Sequence, residues 1–319
     1  MGGPAIVVEG LRKSYGKNEA VRGIDFEVPA GEVFALLGPN GAGKTTTVEI
    51  LEGFRHRDQG TVSVLGIDPQ RGGRRLRERV GIVLQECGFD PYLTVIEAAR
   101  MHAARYPAPR SPDDVVALVG LDEQRDQRVK TLSGGQQRRL DLALGLVGDP
   151  ELLFLDEPTT GFDPSARRAS WEIVRELCSL GKTVLLTTHY MDEAQALAAT
   201  VAVITRGAIV ATGSPDDIAG RDRLATVVSF VAPEDIALSD LPVPVVAEGE
   251  RVRFEITDGD DTARVLHTLT GWALERQVDL VGLTVARPTL EDVYLLLTGE
   301  HATGEHATGD EAAPEGAGR

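Results

Sequence analysis

The sequence predicts an α/β fold, and three features support this prediction. Short, mostly apolar runs, such as residues 32–37 and 152–155, are typical of strands that are buried inside a sheet. Residues 166–180 follow the second run and have the length of a helix. A glycine-rich turn at residues 38–43 joins the first run to a helix predicted at residues 46–53. Strands that alternate with helices in this way indicate a parallel sheet with helices on its faces.

The composition argues against several classes of protein. The chain has 319 residues, enough for two domains, and a formal net charge of −16, which argues against a general nucleic-acid surface. Five arginines at positions 71–79 are interpreted as a solvated helix face or as a contact for a partner or lipid headgroup. Cys87 and Cys178 form no CxxC pair, which fits a reducing cytoplasm. No apolar run approaches the ~20 residues of a membrane helix, so any membrane role is expected to depend on a partner.

Residues 38–46 have the pattern of a phosphate-binding loop, in which two glycines five positions apart precede Lys and Thr. The loop consists of Gly38, Pro39, Asn40, Gly41, Ala42, Gly43, Lys44, Thr45 and Thr46. A glycine turn at a helix N-terminus presents backbone N–H groups and a positive dipole end to an anion. We expect Lys44 to reach the outer phosphates and the Thr45 hydroxyl to bind Mg²⁺. The alternative is an ordinary glycine turn before a helix.

Polar side chains follow directly on three further apolar runs: Gln85, the pair Asp156 and Glu157, and His189. The carboxyl ends of parallel strands face the ligand crevice of an open α/β sheet, so we expect these side chains to converge on the phosphate loop. Alternate side-chain directions let Asp156 serve Mg²⁺ while Glu157 orients or deprotonates a water molecule. Gln85 is a candidate for Mg²⁺ or the attacking water. A polar strand end for Gln85 and a core histidine for His189 remain the alternatives.

Residues 90–150 predict a helical subdomain inserted into this core. Thr94 and Glu97 form a capping box at the start of its first helix. Near its end a polar turn opens a further helical run, and this turn consists of Leu132, Ser133, Gly134, Gly135 and Gln136. Ser133 is a favourable N-cap, and the two glycines permit close approach of a phosphate, which predicts a second anion site. Gly145 lies within the helical run, where Ala is expected to be more favourable by about 1 kcal/mol.

Residues 221–299 predict a small α+β domain after a nucleotide-binding domain at residues 1–220. Strands are expected at residues 226–231, 243–246, 251–256 and 280–285, and a helix at residues 263–274. Residues 300–319 contain a direct repeat, several acidic residues and no large apolar residue, so this acidic tail is expected to be disordered. Two histidines in the tail leave metal binding as the alternative.

These motifs and their order resemble the nucleotide-binding subunits of ABC transporters, over roughly residues 5–220. Seven features occur in the family order: Tyr15 as the aromatic that stacks on adenine, residues 38–46, Gln85, residues 132–136, residues 152–157, Asp163 and His189. The signature Leu-Ser-Gly-Gly-Gln at residues 132–136 separates this family from other phosphate-loop proteins. Phe162 departs from the family, in which Leu is usual, but it touches no atom that the chemistry needs.

The resemblance implies a fold, two ligands and a role for each residue. The fold would be a P-loop nucleotide-binding core with an antiparallel β subdomain and the inserted helical subdomain. The ligands would be ATP and Mg²⁺. Thr45, Gln85 and Asp156 would hold the metal ion, Glu157 would activate water and His189 would touch the γ-phosphate.

The resemblance also implies a homodimer of nucleotide-binding subunits. Ser133, Gly134, Gly135 and Gln136 of one protomer would close over the γ-phosphate that the other protomer's loop holds. The resemblance also implies that Asp163 is one of the nucleotide-binding residues. Two chains would then enclose two ATP molecules.

Residues 287–299 resemble the C-terminus of the antibiotic and drug exporters of the ABC-2 type. In that subfamily the membrane domain is a separate polypeptide. The resemblance therefore implies a cytoplasmic ATPase, peripheral on the inner face of the cell membrane, that powers export of a drug, antibiotic or lipid-like molecule through a permease subunit. The alternative is a soluble ABC ATPase acting on ribosomes or DNA, but the chain has one nucleotide core and no long heptad arms. No nucleic acid is expected as a partner.

Overall fold

The computed structural model describes residues 3–83, 90–218, 225–232, 236–256, 262–286 and 289–298. Its strands are β1 (Ile6–Tyr15), β2 (Asn18–Val28), β3 (Val33–Leu37), β4 (Gln59–Val64), β5 (Val80–Val83), β6 (Leu152–Asp156), β7 (Thr183–Thr188), β8 (Thr200–Thr205), β9 (Ala208–Gly213), β10 (Thr226–Val231), β11 (Val246–Glu248), β12 (Arg251–Ile256) and β13 (Thr284–Ala286). Its helices are α1 (Lys44–Leu51), α2 (Pro69–Arg77), α3 (Val95–Ala103), α4 (Pro112–Leu118), α5 (Gly134–Leu146), α6 (Pro164–Ser179), α7 (Met191–Leu197), α8 (Thr262–Glu275) and α9 (Leu290–Thr298). Within these ranges no helix combines the length and the apolar character that crossing a bilayer requires.

The central sheet has six strands in the order β5-β6-β7-β3-β8-β9. The first five strands are parallel, and β9 pairs with β8 in the antiparallel direction. Every residue of β3 and β7 is buried, as expected for strands that are covered on both faces. The predicted α/β fold is therefore confirmed. The order also places β6, β7 and β3 side by side, so that their carboxyl ends are neighbours.

A separate antiparallel sheet, in the order β2-β1-β4, packs on this core. Strands β1 and β2 form an antiparallel hairpin, in which Ile6 pairs with Val28 and Tyr15 with Asn18. Phe26 of this hairpin stacks on Phe34 of β3, with ring centroids 5.4 Å apart. The stacked pair joins the two sheets in one apolar core.

The inserted helical segment contains α3, α4 and α5, and the predicted capping box of Thr94 and Glu97 is present at the start of α3. The expectation for Gly145 is wrong. A Cβ atom on Gly145 would lie 2.8 Å from Cγ2 of Val83, and one on Gly81 would lie 2.2 Å from the carbonyl oxygen of Gly145. Helix α5 therefore approaches β5 too closely for a side chain at position 145, and packing outweighs helix propensity.

The last strands form a third sheet in the order β11-β12-β10-β13, and α8 supplies Leu269 to its apolar core. Two predicted strands there are wrong in extent. Residues 243–246 form no strand before Val246, because Pro242 and Pro244 provide no N–H groups for a ladder. Residues 280–283 are a turn at Gly282, which has φ of 66°. The domain boundaries stay a prediction, and the predicted tail at residues 300–319 lies outside the described residues.

Candidate functional site

The carboxyl ends of β3, β6 and β7 bring the predicted loop and side chains together. The N–H group of Gly38, after β3, donates to the carbonyl of Thr188 at the end of β7, at 3.2 Å. The N–H group of Glu157, after β6, donates to the carbonyl of Thr187 at 3.1 Å. His189 directly follows Thr188, so loop, carboxylates and histidine meet at one edge of the sheet.

The phosphate loop has a backbone shape that requires glycine. Gly41 and Gly43 have φ of 79° and 107°, in the region that L side chains avoid. A Cβ atom on Gly38 would lie 2.2 Å from the carbonyl oxygen of Ile204, and one on Gly43 would lie 2.5 Å from that of Ala20. Helix α1 then begins without a side-chain cap, so its first N–H groups are available to an anion. Thr45 is exposed at this helix end.

Lys44 is held by the loop and by Glu157. Its side chain is only 5% exposed, and Nζ donates to the carbonyls of Gly38 at 2.7 Å and Pro39 at 3.2 Å. The same Nζ lies 3.3 Å from Oε1 of Glu157. The buried ammonium group of Lys44 therefore lies between the loop carbonyls and the Glu157 carboxylate.

Glu157 is held in a strained and charged environment. Its φ is 45°, a conformation that costs non-glycine residues about 1–3 kcal/mol and that occurs often at functional sites. Its Oε2 lies 3.2 Å from Nδ1 of His189. Burial disfavours the charged carboxylate, but Lys44 and then His189 outweigh this effect, so the pKa of Glu157 lies below its ordinary value. The group is ionised at neutral pH and can accept a proton.

Asp156 is oriented by a hydroxyl group, since Thr187 donates to its Oδ1. Among the described residues no group of three or more acidic, histidine or cysteine side chains is placed to hold a metal ion. Mg²⁺ usually needs only one or two carboxylates in addition to waters and substrate phosphates, so the Thr45 hydroxyl and the Asp156 carboxylate fit it. Gln85, the third predicted ligand, lies outside the described residues.

Arg138 of α5 is a site residue that the sequence reasoning missed. Its guanidinium donates to three consecutive backbone carbonyls, those of Asp156 at 3.1 Å, Glu157 at 3.4 Å and Pro158 at 3.0 Å. The helix that begins at the predicted second anion site is thereby fixed to the end of β6. An arginine one turn into a helix is common on protein surfaces, so its position carried no usable signal.

Glu193 of α7 is a second missed residue. It is fully buried, and its Oε1 accepts hydrogen bonds from Thr159 Oγ1 at 2.8 Å and from Trp171 Nε1 at 3.3 Å. Burial raises the pKa of this carboxyl group. Glu193 thus anchors the loop after Glu157. Asp163, at the end of that loop, caps α6: its carboxylate accepts from the N–H groups of residues 165 and 166.

The remaining predicted residues make contacts of their own. Ser133 caps α5 as predicted and forms a reciprocal capping box with Gln136. A Cβ atom on Gly134 or Gly135 would meet no other atom within 4 Å, so packing within one protomer does not require these glycines. Tyr15 is 41% exposed, and the guanidinium of Arg55 lies 5.2 Å from the centre of its ring.

Glu52, at the C-terminal end of α1, is a buried carboxyl group near the site. It is 4% exposed, and burial, followed by the charges of Asp156 and Glu49, raises its pKa to about 8. Folded Glu52 therefore keeps its proton at pH values where the unfolded chain has lost it. The contribution of Glu52 to the free energy of unfolding should therefore be most favourable below pH 4.5, the ordinary pKa, and should fall as the pH rises toward 8.

Glu52→Gln is expected to remove this pH dependence in the protein without nucleotide or metal. At about pH 8 the variant should be more stable than the wild type by a few kcal/mol, because one pKa unit corresponds to about 1.4 kcal/mol. Denaturant unfolding from about pH 5 to pH 8 measures the effect, with Glu27→Gln on the exposed face of β2 as the control. A Glu52→Gln curve parallel to that of the wild type would contradict the prediction.

Comparisons with known proteins agree with this geometry. Residues 21–160 match the ABC transporter family, and residues 226–289 match the C-terminal domain of ABC transporter domain-containing protein-like sequences. Nod factor export ATP-binding protein I of Paraburkholderia xenovorans strain LB400 is 41% identical over 307 residues, which cover 92% of this chain and 97% of the relative. Daunorubicin/doxorubicin resistance ATP-binding protein DrrA of Streptomyces peucetius is 38% identical and is matched over 93% of each chain.

Two solved structures are similar to the core. CbiO1 from Clostridium perfringens, part of the ABC transporter complex cbiONQ, has a TM-score of 0.61 at 30% identity and covers 68% of this chain and 90% of its own. The dimeric ATP-binding cassette MJ0796, in a post-hydrolysis state bound to ADP and Pi, has a TM-score of 0.60 at 22% identity and covers 66% and 98%. The second likeness bears on the fold alone.

Proposed function

Since this chain belongs to the ATP-binding subunits of ABC transporters, we propose that it powers export of a small molecule through a separate membrane-spanning subunit. The chain is accordingly an ATPase. The observation that carries the proposed chemistry is the contact of Lys44 and His189 with Glu157 beside the phosphate loop. The curated relatives are named for export of Nod factor and for daunorubicin resistance, which supports a drug, antibiotic or lipid-like substrate.

ATP binding would exchange the partners of Lys44. The uncapped N–H groups at the start of α1 would donate to the phosphates, and Lys44 is held nearby by two loop carbonyls and Glu157. The phosphates carry more charge than these partners, so they would draw Lys44 away from Glu157. Because Lys44 lowers the pKa of Glu157, its departure would raise the basicity of the carboxylate once nucleotide is bound.

Glu157 would then accept a proton from the attacking water. His189, 3.2 Å from the same carboxylate, is placed to orient it and to meet the γ-phosphate. Arg138 donates to the carbonyl of Glu157, and the N–H group of Glu157 donates to Thr187 Oγ1. These bonds fix the backbone of Glu157 and thereby the position of its carboxylate. Bound Mg²⁺ would neutralise phosphate charge, and we propose Thr45, Asp156 and Gln85 as the residues that hold it.

We propose that the site is completed by a second copy of the chain. Ser133 and Gly134 are exposed at the start of α5, and the glycines leave open space there. A helix N-terminus with two glycines suits an approaching phosphate. The γ-phosphate held by the loop of the other protomer would occupy this position, and Tyr15 and Asp163 remain proposed nucleotide contacts.

A groove of about 620 Å³ supports docking of the membrane subunit. It lies between α2 and β5 on one side and α3 and α5 on the other, with Val80 and Leu144 among its apolar residues and Arg74 at its edge. Phe54 and Met101, which also line it, are 60% and 46% exposed. Arg74 pairs with Glu78, and Asp90 and Asp141 also line the groove, so it is the exposed apolar side chains that suit a short amphipathic segment of the permease.

Co-expression with the membrane subunit tests the proposed function. The expected result is a complex that extracts from membranes with the permease and whose permease-stimulated ATP hydrolysis requires Mg²⁺. Phe54→Asp should release the chain from the complex and leave ATP binding unchanged, whereas Leu274→Asp on α8, where Leu274 is 80% exposed, should change neither. Co-purification with ribosomes or DNA in place of a membrane protein would overturn the proposal.

A further inference from the structure

Helix α9, the last one among the described residues, follows the third sheet and packs on the nucleotide core. Leu290, Val293 and Tyr294 are 2%, 2% and 5% exposed. They belong to the same apolar core as Leu37 at the end of β3 and Ala194 of α7. The residues next in sequence to the small C-terminal sheet therefore lie close to the strand that carries the phosphate loop.

Tyr294 brings this helix to the phosphate loop itself. It lines a cleft of about 300 Å³ together with Gly38, Pro39, Asn40 and His189. The first three residues form the first turn of the loop, and His189 lies 3.2 Å from the Glu157 carboxylate. One aromatic side chain near the C-terminus thus faces both the loop and the histidine.

The loop and the histidine have room to move on this side. Asn40 is exposed, Pro39 is half-buried and the His189 side chain is 30% exposed. The hydrogen bonds from Lys44 and to Thr188 hold the inner side of the loop. The buried ring of Tyr294 lines the same cleft, so an outward movement of the loop or the imidazole into the cleft would be limited by the ring.

We propose that Tyr294 is a positioning residue, whose ring holds the first turn of the phosphate loop and His189 in the arrangement that binds ATP. The inference rests on the proposed ATP site. It makes docking of α9 a determinant of nucleotide affinity. It also connects the C-terminal sheet to the site, because α9 follows that sheet in the chain and its Tyr294 lines the cleft beside the loop.

ATP binding by variants of the full chain tests the proposal. Tyr294→Ala removes the ring from the cleft, Tyr294→Phe keeps it, and Val293→Ala is the matched control. Val293 is buried on the same helix but does not line the cleft, so it reports on loosened docking without loss of the ring. Fluorescent ATP titration, the KM and kcat of hydrolysis, and thermal unfolding are measured for each protein.

Tyr294→Ala is expected to weaken ATP binding and to raise the KM by about tenfold, with kcat within a few-fold of the wild type, since a displaced loop loses its alignment. Tyr294→Phe should stay within about twofold of the wild type, and Val293→Ala should lower thermal stability without this change in affinity. Equal affinity of Tyr294→Ala and wild type, or an equal loss in Val293→Ala, overturns the inference. A wild type that binds no ATP would instead overturn the proposed function.

Discussion

Glu157→Gln is expected to lower the rate of ATP hydrolysis by about 10²–10⁴-fold, the usual worth of a positioned base, while ATP binding persists. Gln keeps the size of the side chain but cannot accept the proton of the attacking water. The substitution also removes the carboxylate that lies 3.3 Å from Nζ of Lys44, so Lys44 is free to move to the phosphates. ATP affinity should therefore be equal to that of the wild type or higher. Single-turnover hydrolysis and equilibrium ATP binding measure the two effects.

Glu151→Gln is the matched control for this prediction. Glu151 directly precedes β6, at the end of the strand opposite Glu157, and its exposed carboxylate pairs with Arg79. A surface pair of this kind contributes little, so the rate should not change by more than about twofold. If Glu157→Gln hydrolyses ATP within a few-fold of the wild type, Glu157 is not the base. Loss of ATP binding in Glu157→Gln would contradict the idea that the Glu157 carboxylate competes with the phosphates for Lys44.

The meeting of the loop, the strand-end carboxylates and His189 at one edge of the sheet was predictable because local rules and sheet topology determine it. Gly41 and Gly43 are required by their positive φ, and this local requirement appears directly as glycine in the sequence. Asp156, Glu157 and His189 follow buried strands, and the topology of a parallel sheet places such residues together. The cap at Ser133 is likewise a local hydrogen-bond pattern.

Arg138, Glu193 and Tyr294 could not be predicted in the same way. Each acts on residues that are distant in sequence, and no short pattern in the chain marks these contacts. Arg138 reaches the carbonyl of Glu157, nineteen positions later, and Glu193 accepts from Thr159, thirty-four positions earlier. Gly145 shows the same limit, since helix propensity favours Ala there and only the closeness of β5 excludes it.

Lys44→Ala is expected to weaken ATP binding by roughly 10–100-fold, since a hydrogen bond to a charged group contributes about 1.5–3 kcal/mol. The change also leaves Glu157 buried without its ammonium partner. Lys44 lowers the pKa of Glu157, so the native state gains stability from this pair above the ordinary carboxyl pKa and loses it as the pH falls through the lowered value. At neutral pH, Lys44→Ala should therefore be less stable than the wild type.

The double variant Lys44→Ala/Glu157→Gln separates the two effects of Lys44. Removal of the unpaired carboxylate should restore much of the stability that Lys44→Ala loses, while ATP binding stays weak because the cation is still absent. Lys182→Ala is the control for loss of a lysine. Lys182 lies just before β7 and pairs with Asp149, and its loss should leave ATP binding unchanged. If Glu157→Gln changes the stability of the wild type and of Lys44→Ala by the same amount, Lys44 and Glu157 do not interact, and the proposed release of Glu157 by ATP is wrong.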